Sequence, residues 1–423
     1  MTRRDFFSTG GITLAAGLSA CAARRTSVAV PAAPSPVTTA SAAVNLAVPK
    51  ISWDRVIRTT VGLRPFRTSG FVLRAEKFDE KTVIHDYGFG GSGMSLAWGC
   101  GAMVSDIALE HGERSAAVLG CGSPGLTAAR QLQRRGFTVT IYTLAVPPYT
   151  TSNMSWAGFT PDSGLVNRRT AEWDAQFRKA AEISYRELQL LADHPGYGVY
   201  WIDSYEATDT DPRSSGGGRP RDEYEADEDL LPRQLRPERD TEVLGPGEHP
   251  FPSKYAVRTP SLGIEPNLYL DQLVKDFLQF GGKIVIRKFD TPRDLMTLSE
   301  SIIVNCTGLG SKTLFNDSEL VPVKGQLTVC VPQPELNYRA SGSVAGSTTY
   351  ALINPRPDGI VIGNMHERGN WSLEPNAEVR QHNVDVAIQF AAAMRAPSGH
   401  LEVTKSRAPG AAPRLESFLG AQS

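Results

Sequence analysis

Gly88-Phe89-Gly90-Gly91-Ser92-Gly93 and Gly120-Cys121-Gly122-Ser123-Pro124-Gly125 are two glycine clusters about thirty residues apart. Each follows a short apolar run, Thr82-Val83-Ile84 in the first case and Ala116-Ala117-Val118-Leu119 in the second. Each opens a segment with helical apolar spacing: Leu96, Ala97, Trp98, Ala102, Met103, Ile107 and Ala108, then Leu126, Ala129 and Leu132. A strand that turns on glycines into a helix offers free backbone N–H groups and a positive dipole end. Two such turns point to one large anionic or electron-rich group held at two places. The second turn is the more specific. Strand, GxGxxG, helix and a further strand at 137–142 form the dinucleotide-binding βαβ pattern, which serves FAD or NAD. The acidic residue that usually closes this unit is missing, because Tyr142 is followed by Thr143-Leu144-Ala145. Ribose must be recognised in another way.

A chain of 423 residues with 41% hydrophobic and 21% charged residues can bury a sizeable core. A net charge of −1 gives no electrostatic case for nucleic acid as a partner. Of the five cysteines, Cys100, Cys121, Cys306 and Cys330 lie in apolar surroundings and read as buried thiols; no CxxC pair suggests zinc.

The N-terminus reads as an export signal. Arg3-Arg4 precedes an apolar run that is short for a membrane span, and the run closes on Leu18-Ser19-Ala20-Cys21. The arginine pair resembles a twin-arginine signal, and the closing tetrapeptide resembles a lipoprotein lipobox with Cys21 as the acylated residue. Residues 22–48, rich in Ala, Pro, Ser, Thr and Val, are expected to form a flexible tether.

Further along, residues 51–76 read as extended and contain Val61-Gly62-Leu63-Arg64-Pro65-Phe66-Arg67. The following proline biases Arg64 toward extended backbone. Residues 149–161 form a polar loop with Thr150, Thr151 and Ser152 available to bond phosphate or ribose oxygens. Helical periods recur at 171–193, 267–280 and 378–394. Residues 283–287 and 302–305 are strands, and the latter ends in the small-residue turn Cys306-Thr307-Gly308. Residues 325–363 alternate as β, 207–230 read as a charged excursion, and 397–423 as a loose tail.

Together these motifs resemble the D-amino-acid oxidase family of flavoproteins. The residues that carry the resemblance are Val61-Gly62-Leu63-Arg64-Pro65, Ile84-His85-Asp86-Tyr87 with the first glycine cluster, and Trp98-Gly99-Cys100. To these are added Pro148-Tyr149-Thr150-Thr151-Ser152 with Ala157-Gly158, Val304-Asn305-Cys306-Thr307-Gly308, Gly325-Gln326 and Gly369-Asn370-Trp371. In the family the arginine segment and the first glycine signature come last. Here they precede the dinucleotide strand, so the chain reads as circularly permuted and closed through residues 110–115. The resemblance implies an α/β fold: a Rossmann-like FAD-binding domain and a mixed β-sheet substrate domain. Its expected segments are a signal peptide (1–21), a tether (22–48) and a permuted segment (49–114). The FAD-binding core with interleaved substrate-domain pieces follows (115–324), then the substrate sheet and return helix (325–396) and the tail (397–423).

The implied reaction is oxidation of a D-amino acid, with a hydride passed to flavin N5 and O2 reduced to H2O2. The imino product hydrolyses to a 2-oxo acid and ammonia. Arg64 would bind the substrate carboxylate, Tyr350 would assist it, and the carbonyl of Gly91 would accept from the amine. FAD would be held by Gly90, Gly91, Ser92, Gly93, Met94 and Ser95 on one side and by Gly120, Gly122, Ser123, Pro124 and Gly125 on the other. Thr150, Thr151, Ser152, Ala157, Gly158, Phe289, Cys306, Thr307 and Gly308 complete that set, and no metal is expected.

Departures from the family pattern bear on the substrate. Gly346 stands where the family has a lid tyrosine, which Tyr338 could replace from the adjoining loop. His366 stands where aspartate-specific relatives carry arginine; protonated it could favour an acidic side chain, but it is expected to face solvent. Neutral or basic D-amino acids are the first expectation. A quinone-reducing dehydrogenase, a non-catalytic flavin-binding lipoprotein and a homodimer stay open as alternatives. Membrane contact is expected only through a lipid on Cys21, at the periplasmic or outer cell surface.

Overall fold

Two runs of apolar alternation build two sheets, and the cavity of interest lies where their turns converge. The computed structural model describes residues 43–161, 168–214, 230, 231, 235, 241–344, 350–363 and 365–397. All of them belong to one compact unit. The signal, Cys21, Gly346 and most of the charged excursion and tail lie outside the described residues.

The first sheet has the order β2 (Val72–Phe78), β3 (Lys81–Tyr87), β10 (Ile302–Asn305), β4 (Ser115–Leu119), β5 (Thr138–Thr143) and β9 (Lys283–Ile286). The β2–β3 pair is an antiparallel hairpin, and the other neighbours are parallel. The Ile-Ile-Val-Asn run of β10 is wholly buried between β3 and β4, as expected of a central parallel strand covered on both faces. Thus β3, from the segment ahead of the dinucleotide unit, completes the same sheet as β4.

The second sheet runs β1 (Val56–Phe66), β11 (Val321–Cys330), β14 (Gly359–Ile362), β13 (Tyr350–Arg356), β12 (Tyr338–Ser343), β6 (Val199–Thr208), β8 (Tyr255–Ile264) and β7 (Glu242–Leu244). The short β15 (Glu367–Arg368) adds to β11. Alternation divides its faces. Tyr205, Tyr338, Ala340, Ala351 and Ile353 pack into an apolar cluster with Phe390 of helix α6 (Ala377–Ala393). The residues between them face the other way, toward the cavity.

Helix α1 (Gly93–Leu109) is apolar nearly all round and buried, which is the signature of a central helix. It crosses α2 (Ser123–Arg134) and α3 (Ala171–Ala192) at backbone contact. A Cβ on Gly99 would lie 2.1 Å from the Ala180 carbonyl oxygen, and one on Gly101 would lie 2.9 Å from the Ala128 nitrogen. The Thr127 hydroxyl donates to the Ala97 carbonyl at 2.9 Å across the same crossing. Helix α4 (Pro266–Gln279) flanks α2, and the single-turn helix α5 (Ser311–Leu314) follows β10.

The tether ends earlier than residue 48. Leu46 and Ala47 are buried, and Val44 and Val48 pack on the same apolar cluster. The Val44 N–H donates to the Glu248 carbonyl at 2.8 Å, and the Tyr338 hydroxyl donates to the Ala47 carbonyl at 2.5 Å. Apolar side chains at 44, 46 and 48 explain the capture. At the other end, the Arg395 N–H donates to the Pro250 carbonyl at 2.9 Å. Residues 44 and 395 are thus both anchored to the 248–250 loop.

Candidate active site

The two glycine turns open into one cavity of about 1100 Å³. Its wall includes Arg64, Gly91, Gly93, Met94, Gly120, Gly122 and Pro124, all expected from the sequence. Thr150, Thr151, Ser152, Ala157, Gly158, Phe289, Cys306, Thr307 and Gly308 line it too. Gly90, Ser92, Ser123 and Gly125 shape the turns from behind. Ser92 precedes α1, and its hydroxyl donates to the Phe89 carbonyl at 2.8 Å. Gly91 has φ 130°, a conformation that a side chain would strain.

At the dinucleotide turn, a Cβ on Gly125 would lie 2.1 Å from the Gly120 carbonyl oxygen, and one on Gly120 would lie 2.6 Å from that of Cys306. Only glycines allow strand, turn and helix to close this tightly. The Ser123 N–H at the start of α2 donates to Ser152 Oγ at 3.0 Å, which fixes the polar loop over the turn. At the end of β5, the Thr143 hydroxyl donates to the Ala145 carbonyl. Arg287, Lys288 and Asp290, just past the adjoining β9, line this end of the cavity in place of the missing acid.

The other half of the site lies on the second sheet. Arg64 projects over Gly325, whose Cβ, if present, would lie 2.4 Å from the guanidinium. Its Nη1 donates to the Met365 carbonyl at 3.2 Å. Tyr350 does not line the cavity: its hydroxyl donates to Glu206 Oε1 at 3.1 Å and lies 3.1 Å from Ser341 Oγ. Ser95 is likewise set back. Its hydroxyl donates to the Gly158 carbonyl and accepts from the Thr160 N–H, both at 2.9 Å, so it ties α1 to the 157–160 loop.

Two expectations are corrected. Tyr338 does not replace the lid residue, because alternation turns it to the opposite face of β12, where it is 1% exposed. His366 is half-buried and lines the cavity instead of facing solvent, because the chain turns back across β11 after β14.

Three ionisable residues were missed. Asp86 closes β3, lines the cavity and is fully buried. One of its oxygens accepts weakly from the Cys306 thiol at 3.6 Å, and the other has no protein partner among the described residues. Burial pushes its carboxyl up to about 8, and burial beside Asp86 keeps the Cys306 thiol protonated. Arg339 is buried and, among the described residues, has no carboxylate partner. Its Nε donates to Asn354 Oδ1 at 2.9 Å and its Nη2 to the Ala157 carbonyl at 3.1 Å, and burial lowers its basicity. Glu206, the third, stands on the cavity face of β6. Each occupies an inward position or a strand end, so the signal was a charged residue breaking an apolar period.

These features fit FAD. The glycine turn gives a cradle that any Cβ would fill, and α1 and α2 aim positive helix ends at it. Asp86 holds an unpaired buried oxygen able to bond a polar chain. Comparison with known proteins decides the family: the model described as FAD dependent oxidoreductase, of the D-amino-acid oxidase type, matches residues 115–417. This chain belongs to that family. It is 28% identical over 278 residues to a D-amino acid oxidase of Dugesia ryukyuensis, covering 62% of this chain and 72% of the relative. It is 29% identical over 264 residues to one of Rubrobacter xylanophilus, with the same coverage. It is 37% identical over 121 residues to human D-aspartate oxidase, a stretch covering 28% of this chain and 33% of the relative. A solved glycine oxidase from Geobacillus kaustophilus superposes only loosely, with a TM-score of 0.47 at 15% identity over 68% of this chain and 81% of that one. The flavoenzyme uses FAD, and the residues just described are the ones that would hold it.

Asp86 makes stability depend on pH in a defined direction. An unfolded carboxyl titrates near about 3.9, whereas the folded one holds its proton up to about 8. The native state therefore binds the extra proton between these values and loses stability as pH rises through them. Asp86→Asn should remove this loss. Its melting temperature relative to the unsubstituted protein should climb from about pH 5 to about pH 8; a difference that is flat with pH counts against a buried neutral Asp86.

Proposed function

We propose that this chain oxidises D-amino acids to 2-oxo acids and ammonia with O2 as the electron acceptor. The observation that carries this reading is the placement of the Arg64 guanidinium, the Gly91 turn and the N-terminus of α1 around the cavity that the dinucleotide turn opens into. FAD held in this cavity would supply the acceptor for the hydride leaving the substrate Cα, with O2 as the terminal oxidant and H2O2 as its product. The protein's task is then positioning more than acid–base chemistry.

Arg64 offers a planar fork to the α-carboxylate, and its bond to the Met365 carbonyl limits its swing. The Gly91 carbonyl accepts from the substrate amine, whose nitrogen must carry a lone pair as the Cα hydride leaves. Helix α1, through Gly93 and Met94 at the cavity wall, directs its positive end at the electron-rich ring. Tyr350, in contact with Glu206 and Ser341, holds the far wall. The carboxylate of Glu206 at the cavity wall supports neutral or basic side chains as the preferred class.

Anaerobic addition of a D-amino acid should bleach the flavin spectrum, while the L-enantiomer leaves it yellow. Arg64→Ala removes two charge-assisted hydrogen bonds and should lower kcat/KM by at least about a hundredfold. If no D-amino acid bleaches the wild-type flavin, the reading fails.

We infer circular permutation from three supporting facts. The matched region begins at residue 115, β3 and β4 flank β10 in one sheet, and residues 44 and 395 share an anchoring loop. A chain reopened within 110–114 and joined from 395 to 44 should fold and retain FAD with an unchanged absorbance ratio; an insoluble or colourless product argues against it.

Export as a lipoprotein rests on Arg3-Arg4 and the Leu18–Cys21 tetrapeptide. A folded holoprotein needs a route that does not unfold it, and the twin-arginine type is suited to that. Cys21→Ala should shift the protein from the membrane fraction to the soluble one; unchanged fractionation counts against the anchor.

A further inference from the structure

The cavity has a second charged wall that the reaction does not use. On β6 and β12 the pairing sets Glu206 opposite Ser341, and on β12 and β13 it sets Ser341 opposite Leu352. This row faces the cavity together with Ser204, one step along β6. The Tyr350 hydroxyl donates to Glu206 Oε1 at 3.1 Å. A carboxylate can accept several hydrogen bonds, so one neutral donor fixes its direction and leaves most of its capacity open.

Among the described residues Glu206 forms no ion pair. The nearest cation on the neighbouring strand, Arg339, sits in the adjacent row opposite Ser204. It turns toward Asn354 and the Ala157 carbonyl. Two opposite charges in diagonal positions are thus held apart, each by neutral partners. For Arg339 those partners lie at the flavin-side loop and leave it 7% exposed. Glu206 remains half-buried and open to the cavity.

Distance then selects the ligand. Arg64 lies over Gly325 of β11, and Glu206 stands four strand intervals away through β14, β13, β12 and β6. At a strand spacing of about 4.8 Å this is roughly 19 Å between backbones. The Arg64 guanidinium already lies at Gly325, and the Glu206 side chain, bonded by Tyr350 of β13, leans back across part of the span. A substrate whose α-carboxylate rests on Arg64 leaves Glu206 facing an empty gap when its side chain is short. A long, cationic side chain closes the gap and meets the unpaired carboxylate.

We propose, resting on the D-amino-acid reading above, that Glu206 is the specificity determinant for a cationic side chain, of the D-arginine or D-lysine class. Tyr350 is its positioning residue. Desolvated charge-assisted hydrogen bonds between a guanidinium and a carboxylate supply the discrimination. The neighbouring Arg339 would favour anionic side chains, but only weakly, since its donors are engaged by Asn354 and the Ala157 carbonyl.

The test uses the FAD-loaded full chain and D-arginine against D-citrulline, which has the same length without the charge. D-Arginine should be favoured in kcat/KM by about tenfold to a hundredfold. Glu206→Gln, which keeps an acceptor for Tyr350, should bring that ratio close to one. In a second measurement free of turnover, 5-guanidinopentanoate should perturb the flavin spectrum at lower concentration than its neutral analogue 5-ureidopentanoate, and Glu206→Gln should erase the difference. Equal rates with D-arginine and D-citrulline, a preference for D-glutamate, or a ratio untouched by Glu206→Gln would overturn the proposal. D-Alanine separates the two levels of the argument. If it bleaches the flavin while D-arginine shows no advantage, only the specificity assignment falls; if no D-amino acid bleaches it, the underlying reaction falls with it.

Discussion

The site depends on a steric constraint at the centre of the molecule: α1 must touch α2 and α3 backbone to backbone. Gly99 and Gly101 make this contact by having no side chain where Ala180 and Ala128 come closest. A well-packed core resists added methyl groups at a cost of about 1–3 kcal/mol each. This close approach has a functional consequence. It sets the N-terminus of α1 beside that of α2, so two positive helix ends open into one cavity instead of two separate clefts. The Thr127 hydroxyl bond to the Ala97 carbonyl fixes the sliding register of that crossing. The distance between the two glycine turns is therefore a property of helix packing.

Electrostatics then act on a cavity already shaped. Burial of a lone charge is expensive unless a partner compensates it. The protein meets this cost differently at each group. Asp86 avoids it by holding a proton up to about 8. Arg339 cannot shed its charge at ordinary pH and satisfies itself with an amide oxygen and a backbone carbonyl. Arg67, just beyond Arg64, pairs with Asp317 at 2.7 Å and Glu319 at 3.0 Å, while the Tyr87 hydroxyl donates to Asp317. That paired network is structural and holds the strand leading into the first glycine turn. Among the described residues, by contrast, Arg339 and Glu206 have no oppositely charged partner, and both line the cavity. Charge left unpaired at a cavity wall is available to a ligand.

The fold and the cofactor half of the site were legible because they are local. The turn at Gly120–Gly125 needs glycines at fixed spacing, and the βαβ unit lies within one short segment. The central strand β10 announces itself by Ile302-Ile303-Val304. The substrate half was only partly legible. Arg64 could be found from its own segment, but Glu206, Ser341 and Leu352 come together through register between three strands far apart in sequence. Tyr338 shows the opposite failure. Its residue type suited the cavity, but a strand period of two sends it to the α6 face. The end of the tether was misjudged for a similar reason: Val44, Leu46 and Val48 alternate too briefly to read as structure until Tyr338 and Phe390 supply a surface.

Chain order matters little to such a site, so the circular permutation proposed above would leave it intact. The groups at the cavity are delivered by strands of the two sheets, by the turns that follow them and by the N-termini of α1 and α2. Each sheet needs its strands as neighbours, whatever order the chain visits them in. In the first sheet, β10 is paired on one side with β3 and on the other with β4, and both pairs are parallel with a matched register. The link from α1 to β4 spans only a few residues, so it adds little loop-closure entropy. At the other end, residues 44 and 395 are held on one loop by hydrogen bonds of 2.8 and 2.9 Å. A break between them cuts no strand and removes no cavity residue. The short link fastens β3 and α1 directly to the dinucleotide unit, so the two glycine turns stay close in sequence as well as in space.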